Sequence, residues 1–88
     1  MIEDKITINN RAGLHARAAA KLMEAISNYD CMIEIGTREK MVDGKSILSI
    51  MLLAASPGTV LDIKVDGNDE LEALSAITAL VANNFDEE

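Results

Sequence analysis

The chain has 88 residues, enough for one domain with one modest core, and we predict that residues 1–88 form that single domain. Fifteen acidic and eight basic residues give a net charge of −7, which argues against a nucleic-acid partner because such partners need a basic face. The single cysteine and single histidine exclude an internal disulfide and a structural zinc site, and no apolar run approaches the roughly 18 residues of a membrane span. We therefore expect a cytoplasmic protein with no metal, no cofactor and no membrane contact.

The first predicted element is a strand at residues 2–8, where isoleucines alternate with polar residues apart from an interruption at Asp4. Residues 9–13 form the loop into a helix that we expect to run to about residue 28. The apolar face of this helix contains Ala19, Leu22, Met23 and Ile26, which recur at i, i+3, i+4 and i+7. Each of the two elements therefore has one face to bury.

A second strand is predicted where Cys31, Ile33 and Ile35 alternate with other residues. Residues 36–39 then favour a hairpin turn into a short third strand at residues 40–43. We interpret Cys31 as a small core residue, because nothing in the sequence brings it near His15 for nucleophilic chemistry.

A short second helix is expected to begin at Ser46, which is a suitable N-cap. Its residues are almost all apolar, although a helix of a small domain buries only one side. We expect Ile50 and Leu53 to point inward. The three remaining large side chains, Ile47, Leu48 and Met51, should then lie at the surface or beneath a partner.

A fourth strand is predicted at Leu61, Ile63 and Val65, followed by a third helix capped by Asn68 or Asp69. The inward side of this helix is expected to comprise Leu71, Leu74, Ile77 or Thr78, and Val81. Residues 86–88 should form a frayed acidic tail. The order β-α-β-β-α-β-α predicts an α+β open-faced β-sandwich, with a four-stranded antiparallel sheet covered by three helices on one face.

His15 stands where the first loop meets the first helix, and we predict that it lies at or beside the N-cap. The backbone N–H groups of Ala16, Arg17 and Ala18 have no acceptor within the helix and point toward this position with the positive end of the helix dipole. An anion attached to His15 would meet these donors and the Arg17 guanidinium. The arrangement suits the uptake of a phosphoryl group, although a histidine here also fits a simple capping or surface role.

Two motifs carry a family resemblance. Gly13-Leu14-His15-Ala16-Arg17, followed by a run of small residues, and Val42-Asp43-Gly44-Lys45-Ser46-Ile47 resemble HPr, the histidine phosphocarrier family of the bacterial phosphoenolpyruvate-dependent phosphotransferase system. The resemblance runs along the whole chain. It implies the same open-faced sandwich and a carrier that relays phosphate between enzymes without being an enzyme itself. The oligomeric state is left open, although a carrier that docks with several partners is more useful as a monomer.

The resemblance also implies roles for individual residues. His15 would accept a phosphoryl group on Nδ1 from enzyme I and pass it to an enzyme IIA domain. Arg17 and the backbone N–H groups of Ala16 and Arg17 would hold the phosphate. The residues that would form an apolar docking patch for these partners are Ala16, Ala20, Ile47, Leu48 and Met51.

Ser46 matches the family's regulatory site, which an HPr kinase/phosphorylase phosphorylates in many bacteria. A phosphate here would add about two negative charges beside the docking patch and repel an acidic partner. A purely structural role as a helix cap is the alternative. The chain would then carry phosphate without this control.

The chain departs from the family pattern at Ala18, where proline is usual, and at Glu24, Ser27 and Ser49, where lysines tend to surround the docking surface. Alanine at position 18 keeps the helix at a cost of about 0.4–1 kcal/mol or less in chain entropy. The missing positive charges leave the downstream acceptor open between a sugar, a nitrogen or another signalling branch.

Two alternatives differ from the carrier function. Gly44-Lys45-Ser46 is similar to the end of a phosphate-binding P-loop, but that pattern requires glycine at position 39, which is glutamate. A regulatory binding module switched by Ser46 phosphorylation, with little carrier flux, is the alternative function.

Overall fold

The computed structural model describes residues 1–86, and within them it contains the four strands and three α-helices that were predicted. The elements are β1 Ile2–Thr7, α1 Ala16–Ile26, β2 Met32–Thr37, β3 Lys40–Asp43, α2 Ile47–Leu52, β4 Val60–Asp66 and α3 Glu70–Ala82. A short 3₁₀ turn, Asn84–Asp86, follows α3. The predicted order of elements is confirmed.

The four strands form one antiparallel sheet in the order β1-β4-β2-β3. In the two central strands, Ile35 lies opposite Ile63. Ile6 of the edge strand β1 lies opposite Leu61. Directly opposed residues share one face of an antiparallel sheet, and these four are buried beneath the helices.

The other face of the sheet is polar and open. Lys5 lies opposite Asp62 across β1 and β4, and its Nζ is 2.6 Å from Asp62 Oδ1. The pKa of Asp62 is lowered, chiefly by its hydrogen bond from Lys5. One apolar face and one charged face make this the predicted open-faced α+β sandwich.

Alanines allow α1 to approach the sheet and its helical neighbours closely. Ala18, Ala19, Leu22 and Ile26 are buried, whereas Met23, predicted to point inward, is half-buried. In α2, Ile50 is fully buried, as predicted, whereas Leu53, just beyond the helix, is only half-buried.

The inward side of α3 was predicted partly wrongly. Leu71 is 64% exposed, and the buried residues are Ala73, Ile77 and Val81. At about 100° per residue, Leu71 lies roughly 120° around the helix from Ile77. The helix packs on the core through Ala73, Ile77 and Val81 instead. At its start, Glu70 Oε1 accepts hydrogen bonds at 3.0 Å from the Gly67 N–H and at 3.0 Å from the amino terminus.

Phe85 is the largest fully buried side chain, and nothing in the sequence pattern predicts its position. Asn84, Phe85 and Asp86 all have positive φ, so the backbone turns back and places the Phe85 ring in the core. Asp86, predicted to begin a frayed tail, belongs instead to this turn, where its Oδ1 accepts a hydrogen bond from Asn83 Nδ2 at 2.7 Å. The rest of the predicted tail, residues 87 and 88, lies outside the described residues.

Candidate functional site

His15 is the N-cap of α1, as predicted. Its backbone is extended, with φ −100° and ψ −175°, and its carbonyl accepts the first helical hydrogen bond from Ala19 N–H at 2.8 Å. The side chain is half-buried, and Nδ1 accepts a hydrogen bond from Arg17 N–H at 3.2 Å. Nδ1 thus presents a lone pair to the helix end, and the tautomer that accepts this hydrogen bond carries its proton on Nε2.

A tight turn at residues 10–13 fixes the approach to His15. Asn10 is buried; its carbonyl accepts a hydrogen bond from Gly13 N–H at 3.1 Å, while its Nδ2 donates to the Gly13 carbonyl at 2.7 Å. Gly13 has φ +73°, a conformation that favours glycine. Both ends of the turn are therefore held by a buried side chain.

The same loop is anchored to the segment after α2. Leu14 N–H donates to the Ala55 carbonyl at 2.8 Å, and Ile8 N–H donates to the Thr59 carbonyl at 2.9 Å. Gly58 N–H donates back to the Ile8 carbonyl at 2.6 Å. The backbone on the N-terminal side of His15 is thus fixed by contacts with a sequence-distant loop.

His15 lies in a shallow depression whose rim is mostly cationic. The depression is lined by Arg11, Ala12, His15, Arg17, Lys21, Phe85 and Asp86. Lys21 Nζ is 3.9 Å from Asp86 Oδ2, which offsets part of the positive charge. Within residues 1–86 no group of three or more His, Cys, Asp or Glu side chains is arranged to hold a metal. The depression thus contains one imidazole, two guanidinium groups and one ammonium group.

Ser46 is the N-cap of α2, as predicted, and its Oγ accepts a hydrogen bond from Ser49 N–H at 3.3 Å. Two hydrogen bonds hold the preceding loop in place. Lys45 N–H donates to Asp43 Oδ1 at 2.9 Å, and Lys45 Nζ donates to the Tyr29 carbonyl at 2.5 Å. The Ser46 hydroxyl is consequently held at a fixed place at the start of the helix.

An apolar surface follows directly after Ser46. Ile47, Leu48 and Met51 are 41%, 65% and 39% exposed, which confirms their predicted outward orientation. Leu52, which the sequence analysis assigned to neither side, is also exposed. On α1, Ala16 and Ala20 are exposed. We call Ile47, Leu48, Met51 and Leu52 the α2 patch.

Cys31 is a buried free thiol, as predicted. Burial, followed by the nearby Asp69 carboxylate, raises the pKa of this thiol. Asp69 itself accepts hydrogen bonds from Asp30 N–H at 2.8 Å and Cys31 N–H at 3.0 Å. Cys31 does not line the depression at His15, so the two residues form no nucleophile and base pair.

Residues 2–83 match the family model described as "PTS HPr component phosphorylation site". The chain belongs to the HPr family. It is 49% identical to the phosphocarrier protein HPr of Pseudomonas aeruginosa over 84 residues, covering 94% of this chain and 93% of that one. The crystal structure of HPr-C-His from Thermoanaerobacter tengcongensis matches it with a TM-score of 0.94 at 40% identity, covering 100% of this chain and 99% of that one. The crystal structure of an HPr dimer from the same organism matches with a TM-score of 0.78 at 39% identity, covering 99% and 100%.

Membership of the HPr family confirms the resemblance inferred from the two motifs. It gives the chain the role of a phosphocarrier in the phosphotransferase system, the role for which its relatives are named. No helix within residues 1–86 is long and apolar enough to cross a membrane.

Two features of the site escaped the sequence analysis. The sequence pattern places Asn10 only in a loop, although the spacing Asn10 to Gly13 is typical of a hydrogen-bonded turn. Arg11 was not singled out, because a loop residue has no periodicity that would relate it to His15. The turn places it on the rim of the same depression.

Proposed function

We propose that this chain carries a phosphoryl group on Nδ1 of His15, receiving it from enzyme I and delivering it to an enzyme IIA domain. The observation that supports this most directly is the position of Nδ1, which accepts a hydrogen bond from the Arg17 N–H at the start of α1. The nucleophilic lone pair and an anion-binding N–H therefore already point at each other.

The transfer exchanges one hydrogen bond for another. In the resting state the Arg17 N–H donates to the Nδ1 lone pair. As that lone pair forms a bond to phosphorus, the bond between phosphorus and the donor atom of enzyme I breaks and the donor atom keeps the bonding electrons. The Arg17 N–H, with the neighbouring Ala16 N–H, is then available to a phosphoryl oxygen. The Nε2 proton stays on the His15 ring throughout.

The charges around His15 support the same role. A bound phosphoryl group adds up to about two negative charges to a protein that already carries −7. The Arg17 guanidinium, exposed on the first turn of α1, can form charge-assisted hydrogen bonds to phosphoryl oxygens. It offsets locally the repulsion that the acidic protein would otherwise exert.

We propose that enzyme I and enzyme IIA dock on the α2 patch together with Ala16 and Ala20. The exposed side chains Ile47, Leu48 and Met51 provide apolar area that a partner can bury. The small side chains of Ala16 and Ala20 leave room beside His15 for an approaching active site. We place this relay in the cytoplasm and expect a monomer, because a second copy of the chain on this surface would block either partner.

Regulation at Ser46 is a further part of the proposal. An HPr kinase/phosphorylase would transfer phosphate to a hydroxyl already held at the N-cap of α2. The helix dipole stabilises that phosphate locally, while about two added charges next to Ile47 weaken the docking of an acidic partner. The exposed apolar side chains that follow Ser46 would also serve the alternative function, a binding module switched by Ser46 phosphorylation with little carrier flux.

The test is to incubate the chain with enzyme I and labelled phosphoenolpyruvate. Wild type should gain one acid-labile phosphate, because phosphohistidine hydrolyses in acid whereas phosphoserine does not. His15→Ala and His15→Asn should both remain unlabelled. His15→Asn is the sharper variant, since asparagine is a good N-cap and keeps a side-chain acceptor for the helix start.

Acid-labile label on His15→Asn would contradict the proposed acceptor. The binding module would be favoured by two results together. Wild type would gain no label from enzyme I, and His15→Asn would keep full partner affinity and still respond to Ser46 phosphorylation. Labelled wild type with unlabelled variants supports the carrier.

A further inference from the structure

Arg11 has no assigned role, yet it lines the same depression as His15 and Arg17. It stands at the second position of the turn from Asn10 to Gly13, which is closed by the 3.1 Å hydrogen bond between Gly13 N–H and the Asn10 carbonyl. Arg17 lies in the first turn of α1 and lines the same depression. The depression at His15 thus contains one arginine from the loop and one from the helix.

The backbone that carries Arg11 is unusually well fixed for an exposed loop. Asn10 is 2% exposed, and its amide donates to the Gly13 carbonyl at 2.7 Å. Leu14 is pinned to Ala55 by a 2.8 Å hydrogen bond. Because the turn is fixed at both ends, only the side chain of Arg11 has to be ordered when an anion binds, which lowers the entropic cost of the contact.

The local charge balance differs from that of the whole chain. The chain has fifteen acidic and eight basic residues, but the described lining of the depression has three basic side chains and one acidic one. Lys21 already faces Asp86 at 3.9 Å. Within residues 1–86 neither Arg11 nor Arg17 forms an ion pair, so both guanidiniums can turn to an incoming anion.

We propose that Arg11 is a second phosphate-binding residue, which contacts the phosphoryl group on His15 from the loop side. The inference rests on the proposed function, since it names a further ligand of the same phosphoryl group. A phosphoryl group has three terminal oxygens, and the Ala16 and Arg17 amides and the Arg17 guanidinium approach from the helix side only. A guanidinium from the loop completes the set, and its planar fork suits two oxygens of one phosphate.

The test uses phosphoramidate, a small donor that phosphorylates imidazoles directly, so that no partner protein is involved. We compare wild type, Arg11→Ala and Arg11→Lys, with Arg38→Ala as the matched control. Arg38 is also an exposed loop arginine, but it lies at the β2–β3 turn and lines the open face of the sheet. Phosphohistidine is followed by ³¹P NMR, and His15→Asn supplies the blank.

Arg11→Ala should form phosphohistidine roughly fivefold more slowly than wild type, the size expected for one exposed charge-assisted contact. Arg11→Lys should recover part of this loss, because it restores the charge without the fork. Arg38→Ala should match wild type, and melting temperatures should show that all variants remain folded.

Equal rates for Arg11→Ala and Arg38→Ala would overturn the assignment of Arg11 while leaving His15 as the acceptor intact. A defect seen with enzyme I but not with phosphoramidate would also overturn it, since Arg11 would then contact the partner rather than the phosphate. Absence of phosphohistidine in wild type with both donors would instead contradict the proposed function itself.

Discussion

Gly13 connects the fold to the candidate site, and replacing it with alanine tests that connection. A Cβ at this position would lie 2.5 Å from the Ala55 carbonyl oxygen and 3.2 Å from the Ser56 Cα. Both neighbours are backbone atoms, which cannot rotate away. Either the turn before His15 or the segment after α2 must move, and the hydrogen bond from Leu14 N–H to that same carbonyl lengthens or breaks.

The expected loss of stability has two parts. The positive φ of +73° costs a non-glycine residue about 1–2 kcal/mol. The weakened hydrogen bond adds about 1 kcal/mol. Gly58→Ala is the matched control, because Gly58 also has positive φ, +92°, but nothing lies within 4 Å of its added Cβ. Gly58→Ala should show the conformational cost alone, so the free energy of unfolding of Gly13→Ala should be lower than that of Gly58→Ala by about 1 kcal/mol.

Urea denaturation of the two variants measures this difference, and in thermal unfolding about 1 kcal/mol corresponds to roughly 4–8 °C for a domain of this size. Phosphoryl uptake from enzyme I gives the second readout. A shift of about 1 Å in the position of His15 can lower the transfer rate by up to about 100-fold. Gly58→Ala should transfer at a near wild-type rate. If Gly13→Ala matches Gly58→Ala in both stability and transfer, the contact with Ala55 does not position His15.

Two further predictions concern the N-cap residues of α2 and α3. Ser46→Ala removes the acceptor for Ser49 N–H and should lower the free energy of unfolding in urea by about 1 kcal/mol; an unchanged value would show that the cap contributes nothing. The hydrogen bonds from the Asp30 and Cys31 N–H groups lower the pKa of Asp69. The ionised carboxylate therefore stabilises the fold at pH values above its ordinary pKa, and this stabilisation is lost as the pH falls through the lowered pKa of the folded state. Asp69→Asn should therefore show a smaller loss of stability on acidification below pH ~4 in urea titrations, and an acid dependence equal to wild type would contradict this assignment.

The elements with a strict period could be predicted well from the sequence. The strand alternation at Ile33 and Ile35 identified the buried face of β2 because a strand has only two faces. The outward orientation of Leu48 followed from a different argument, namely that one side of α2 must remain uncovered in so small a domain. These two conclusions do not require knowledge of the tertiary contacts.

The errors arose where a distant contact decides the outcome. Leu71 continues the apolar pattern of α3, but the side of the helix that packs on the core contains Ala73, Ile77 and Val81. Phe85 lies beyond the last predicted helix, and only a reversal of the chain through positive φ values brings it into the core. Arg11 lines the depression at His15 because it lies in the turn that buried Asn10 forms with Gly13. Neither local propensity nor periodicity records such contacts.

The exposure of the candidate site bears on how a carrier would work. His15 is only half-buried, and Arg11 and Arg17 are exposed, so each contact to a phosphoryl group contributes little free energy compared with a buried one. A deep site with many buried donors would bind the phosphoryl group strongly and thereby slow its transfer to the next acceptor. Several weak contacts at the N-cap of α1 can orient the group while leaving its free energy close to that in the donor and the acceptor. Reversible transfer then requires this site to stay shallow, and a variant that buried His15 more deeply should retain phosphate longer and deliver it more slowly.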